Sequence, residues 1–193
     1  MLNIRKPSPD VIRRFLARQD ALNFTYDAVG ASATTPPAGF VVDRTRAVFA
    51  GGSEVFNRAE AALRQWRQFD LGWVQAFPND TPLEPGRAVA ILGRAMGTWW
   101  LNACRIVYVI DEAGPPARFG FAYGTLPGHA ESGEERFLIE WNPADDVVTY
   151  DILAFSRRRR LSVRLAYPLM RRLQRRFGRD SVASMRRAVS EGA

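Results

Sequence analysis

The chain has 193 residues, 47% hydrophobic and 11% aromatic, with one cysteine, one histidine and a formal net charge of +7. Such a length and apolar content suit one domain with a substantial core, residues 1–193, and exclude a disordered chain. The lone Cys104 excludes an internal disulfide, and charges or glycines interrupt every apolar run, so no membrane-spanning helix is expected.

The first twenty residues lack the apolar core of a signal peptide, and the chain is read as soluble and cytoplasmic. Pro7 to Gln19 instead has the pattern of a short amphipathic helix within the N-terminal region 1–20, with Ser8 as its cap and Val11, Ile12, Phe15 and Leu16 as its stripe. Asn23 to Val29 reads as a short strand, Gly30 to Gly39 as a loop, and Phe40 to Phe49 as extended chain ended by Gly51-Gly52. Ser53 is the expected cap of a helix reaching about Phe69, because Phe56, Ala59, Leu63 and Trp66 recur at helical spacing.

From Leu71 the period changes. Leu71–Phe77, Arg87–Leu92, Thr98–Ile110, Ala117–Leu126, Glu134–Trp141 and Val147–Ser156 are six expected strands, separated by turn signals such as DEAGPP and NPADD. Short turns between consecutive strands mean an antiparallel meander. No glycine-rich phosphate loop follows a strand, which excludes the usual nucleotide-binding plans. Cys104 falls inside an apolar run and reads as a buried, inert thiol.

The C-terminal region 161–189 is a long basic helix in which Leu165, Leu169, Leu173 and Phe177 lie four residues apart. Pro168 predicts a kink or a fresh start, and Gly178 with Asp180-Ser181 a second break. From Asp151 onward twelve arginines face three acids, a local net of +9 that leaves −2 for residues 1–150. This asymmetry reads either as an electrostatic docking surface or as a solvated helix face. The fold class is α+β: a curved antiparallel sheet of six to seven strands wrapped around the C-terminal helix, the helix-grip plan.

The segment FGFAYGTLPGHAESGEERF, Phe119 to Phe137, is the most informative stretch. Phe119, Phe121, Tyr123 and Thr125 should point one way and Gly120, Ala122 and Gly124 the other. The small-residue face would admit a closely packed helix or leave room for a ligand. Together with NFTYDAVGAS (23–32), RIVYVIDE (105–112), VTYDILAFSR (148–157) and YPLMRRLQRRFGRDS (167–181), this stretch resembles the family called domain of unknown function 1990. The resemblance spans Asn23 to Met185. It departs where Arg157 and Arg158 stand in place of a proline expected in the family. The plan is also similar to the Bet v 1 and START-like superfamily of helix-grip proteins. That likeness implies a cavity for apolar ligands, with a minority of cyclases and hydrolases among its members.

Three function classes follow. In the first, the chain binds a small apolar or amphipathic molecule between sheet and C-terminal helix, with Arg105, Tyr108, Tyr123, His129, Glu134 and Tyr150 as candidate ligand contacts and an entrance near 127–135. In the second, His129 with Glu131 or Glu134 transfers protons on the same scaffold, since imidazole titrates near neutrality. In the third, the basic C-terminal face meets nucleic acid or anionic lipid. The absence of aromatics interleaved with those arginines argues against nucleic acid. One histidine in a loop makes a poor zinc site, so no metal and no cofactor is expected.

Overall fold

The structure is a computed structural model that describes residues 2–158 and 167–191. Among the described residues eight antiparallel strands form one sheet: β1 (Leu2–Asn3), β2 (Val41–Phe49), β3 (Val74–Phe77), β4 (Ala88–Ala95), β5 (Thr98–Glu112), β6 (Ala117–Thr125), β7 (Glu131–Asn142) and β8 (Val147–Arg158). Among the described residues three α-helices accompany it: α1 (Pro9–Ala17), α2 (Ser53–Arg64) and α3 (Tyr167–Glu191). The order β2-β8-β7-β6-β5-β4-β3 makes β3 to β8 a meander, and the short β1 pairs with β5. Because β2 and β3 lie at opposite edges, the chain between them carries α2 across one face. That face, with α2 and α3 against it, is the inner face. This is the helix-grip form.

Strand alternation decides what each face buries. Phe119, Phe121, Tyr123, Phe137, Ile139, Tyr150 and Ile152 point inward to the main core, which also takes Leu63, Phe69, Val182 and Met185 from the helical side. On the outer face α1 lays Ile12 and Leu16 against Ala90, Leu92, Leu101 and Ala103. Ser8 caps α1 as expected, its hydroxyl accepting the Val11 N–H at 3.4 Å.

Several expectations need correction. Asn23–Val29 is not a strand; Phe24 and Tyr26 instead cover Gly124 on the outer face, where a Cβ would overlap the Tyr26 hydroxyl. At Gly124 the small-residue face of β6 therefore receives Phe24 and Tyr26. Ser53 is the first helical residue and Gly52 the cap, without a side-chain bond. That helix stops at Arg64 because Trp66 adopts a left-handed φ of 58° and leads into a 3₁₀ turn over Arg67–Phe69. Strand β8 continues through Arg158, which pairs with Glu131 of β7.

Helix α3 is described from Tyr167 and contains Pro168; the kink or fresh start expected there borders residues outside the described ones. Residues 161–166, Leu165 among them, and the Leu169 side chain lie outside the described residues. No second break occurs. Gly178 is where the helix passes so close to β2 that a Cβ would meet Thr45. The Asp180 carboxylate accepts the Trp73 indole N–H at 2.8 Å, and the Ser181 and Tyr150 hydroxyls are bonded at 2.9 Å. Residues with the composition of a helix breaker are here tertiary contacts.

Candidate functional site

A cavity of about 550 Å³ lies between the inner face and the first half of α3. Aromatic packing closes its floor: Phe177 sits 5.3 Å from Phe69 and 6.3 Å from Phe137, centroid to centroid. Beyond that floor Phe121, Ile139, Tyr150 and Met185 are buried in the main core. Above it the inner face carries Gly133 and Ala154, too small to reach the helix, and space remains. Trp73, Val74, Ile91 and Ile152 supply apolar wall.

Polar groups gather at the β7 end. Glu131 and Glu135 both point inward. The Tyr123 hydroxyl donates to Glu135, its register partner across the β6–β7 ladder. Burial pushes the Glu135 carboxyl up to about 7; the Tyr123 bond pulls it down, and the nearby charges of Glu131 and Asp43 push it up again. Burial likewise raises Glu131, against the pull of the Gln174 amide, which lies 3.1 Å from both of its oxygens. Asp43 is held by the Arg171 guanidinium through two bonds, one of 2.6 Å. The His129 Nδ1 lies 2.9 Å from the Glu131 N–H, which it accepts, and 3.2 Å from the Glu131 carbonyl oxygen.

Of the residues expected to serve a site, the structure brings Tyr123, His129 and Glu131 together around this cavity. Glu134 borders it, but its carboxylate turns to the outer face. There it accepts the Tyr26 hydroxyl at 2.7 Å, the Gly30 N–H at 2.7 Å, the Ser32 N–H at 3.0 Å and the Ser32 hydroxyl. Arg105 and Tyr108 are also outside, sharing the outer face because a bulge between Ile106 and Tyr108 resets the alternation. Arg105 donates to the carbonyls of Leu22, Gln19 and Asp20, and Tyr108 meets Ser32 at 2.7 Å. Tyr150 faces inward beneath α3, below the cavity floor.

Sequence reasoning missed Glu135, Asp43 and Gln174. For Glu135 the signal was present: it is two residues from Phe137 and therefore on the face of the buried aromatics. Asp43 and Gln174 reach the site only through tertiary pairing. Burial pushes the Cys104 thiol well up, consistent with an inert role. Among the described residues no three His, Cys, Asp or Glu side chains converge as a metal site.

The chain matches the family model described as a domain of unknown function (DUF1990) over residues 25–184. It is 35% identical to a UPF0548 protein of Dictyostelium discoideum, covering 98% of this chain and 96% of that one. Identity to a UPF0548 protein of Deinococcus radiodurans is 36%, over 98% and 99% of the two chains. Among solved structures, TTHA0849 from Thermus thermophilus is similar with a TM-score of 0.54 at 12% identity, covering 79% of this chain and 99% of that one. At that identity the likeness concerns the fold alone.

Proposed function

The chain belongs to the DUF1990 family, and we propose that it is a binding protein that holds one small apolar or amphipathic molecule between its sheet and α3. The observation that carries this reading is the cavity itself: about 550 Å³, apolar along its walls and polar at one end. Small-molecule sites typically span roughly 300–1,000 Å³ with few, convergent polar groups. The ligand's body lies against Phe69, Trp73, Ile91 and Phe177, each buried methylene contributing about 0.8 kcal/mol. Its polar end meets Tyr123, Glu135, Glu131 and Gln174.

The same reading places the protein in the cytoplasm, supported by a lone, buried cysteine. No described helix is long and apolar enough to cross a membrane.

One observation favours a second reading, an enzyme on this scaffold. A carboxyl pushed up to about 7 and facing a cavity is poised for proton transfer near neutral pH. In that case Glu135 exchanges the proton with the bound molecule, and Tyr123 holds it in place. His129, whose Nδ1 accepts the Glu131 N–H, borders the same space.

Extraction of the natively folded protein with organic solvent, followed by mass spectrometry, tests the binding reading. A stoichiometric apolar compound supports it, and its absence after expression in the native host sinks it in favour of transient occupancy. Loss of turnover in Glu135→Gln with retained ligand binding would select the enzyme.

A further inference from the structure

We propose that the tip of the β4–β5 hairpin, with β1 beside it, docks on an anionic lipid surface. The proposal stands on the chemistry of the tip and needs no ligand in the cavity.

Three large apolar side chains are exposed there: Leu2 at 58%, Ile4 at 86% and Met96 at 81%. They converge because Leu2 pairs with Trp100 and Asn3 with Trp99, which brings Ile4 alongside the turn that joins β4 to β5. Met96 occupies that two-residue turn with a φ of 50°, followed by Gly97 at 74°. Positive φ at both positions is the geometry that favours Asn, Asp or Gly. Methionine is disfavoured there and, at this exposure, gains little packing inside the fold. An apolar residue at such a cost to folding points to a contact outside it.

Cations surround the apolar tip. The Lys6 ammonium lies 5.4 Å from the Trp99 ring centroid and the Arg94 guanidinium 5.9 Å, and Arg5 is exposed beside them. Residues 2–6 and 93–100 contain no acid. Across the cavity, Arg176 stacks at 4.4 Å over Trp73, and Arg172 and Arg175 are exposed on α3. Leu2, Arg94 and Met96 are also cavity-lining residues, so the tip and the cavity mouth are continuous.

Three separate side chains are too little area for a stable protein interface, which needs about 800 Å² per partner. They are enough for a lipid surface, where Leu2, Ile4 and Met96 enter the acyl boundary while Arg5, Lys6 and Arg94 reach phosphates. A tryptophan ring with two cations near its centroid suits the headgroup level.

Co-sedimentation of the full chain with vesicles tests the proposal, using phosphatidylcholine alone and phosphatidylcholine mixed with phosphatidylserine. The wild type is expected to sediment with the mixed vesicles, to be released by salt, and to ignore the neutral ones. Arg5→Ala with Arg94→Ala should lower partition by about 30-fold, and Ile4→Asp with Met96→Asp should abolish it. Leu22→Asp, at an exposed apolar site elsewhere, should partition as wild type, with thermal melts confirming that every variant folds. Absence of sedimentation with either vesicle overturns the proposal. So does unchanged partition of both tip variants, or a loss seen only in Arg172→Ala with Arg175→Ala, which would place the contact on α3.

Discussion

The Tyr123 hydroxyl donates to the Glu135 carboxylate inside the cavity, where β6 and β7 hold the two residues directly opposite each other. The donor is a phenol whose own ionisation burial drives far up, so it stays neutral. Gln174 answers Glu131 with a neutral amide in the same way. The polar end of the cavity therefore sets neutral donors against carboxyls that burial pushes toward protonation.

Glu135 makes stability depend on pH in a definite direction. Its folded value of about 7 lies above the ordinary 4.5, so the folded protein binds more protons than the unfolded chain between those limits. The contribution is fully present below the ordinary value and is lost as pH rises through about 7. Glu131, also raised, acts in the same sense. Glu135→Gln should then be more stable than wild type at about pH 8, by on the order of 2 kcal/mol, and lose that margin toward about pH 5. Thermal melts of both proteins across this range check it; parallel curves would refute the assignment.

Tyr123→Phe should push the Glu135 carboxyl above its present value, because the phenol bond is what holds it down. A carbon-13 NMR titration of the Glu135 side chain reads this directly. A downward move would mean that the hydroxyl does not stabilise the ionised form.

Glu134 belongs to the fold and not to the ligand. Glu134→Ala strands two backbone N–H groups and the Tyr26 hydroxyl, and leaves the Ser32 hydroxyl only its Tyr108 partner. The expected loss is about 3 kcal/mol or more, seen as a lower urea midpoint. Affinity for a cavity ligand should change little in whatever fraction remains folded.

Gly178→Ala should destabilise the protein by about 1–2 kcal/mol, although alanine is the better helix former. The added Cβ would meet the stiff Thr45 side chain. Denaturation of the single variant, and of the double variant with Thr45→Ala, separates the causes. Recovery in the double variant locates the strain at this contact, and a stabilised Gly178→Ala would show that α3 has room to shift.

The sheet was legible because period-two alternation between turn signals is a local property: β4 to β8 fall on expected strands, with ends shifted by a few residues. Gly178, Asp180 and Ser181 were misread because their composition is that of a helix break. Only the packed structure shows each answering a partner: Thr45, Trp73 and Tyr150. The site was half legible for a similar reason. Glu131, Glu134 and Glu135 are close in sequence, but alternation sends Glu134 to the outer face and the other two into the cavity. The bulge in β5 turned Arg105 and Tyr108 to one side, and no residue in that strand announces it.

Titration of the folded protein with the fluorescent apolar amine N-phenyl-1-naphthylamine, beside Ala154→Trp, tests the cavity most directly. Ala154 lies on the inner face opposite Glu135 and borders the space, so an indole there fills it while the strand pairing remains. The account predicts saturable, one-to-one binding to wild type and its loss in a variant whose circular dichroism is unchanged. Equal binding by both proteins, or none by either, would contradict it.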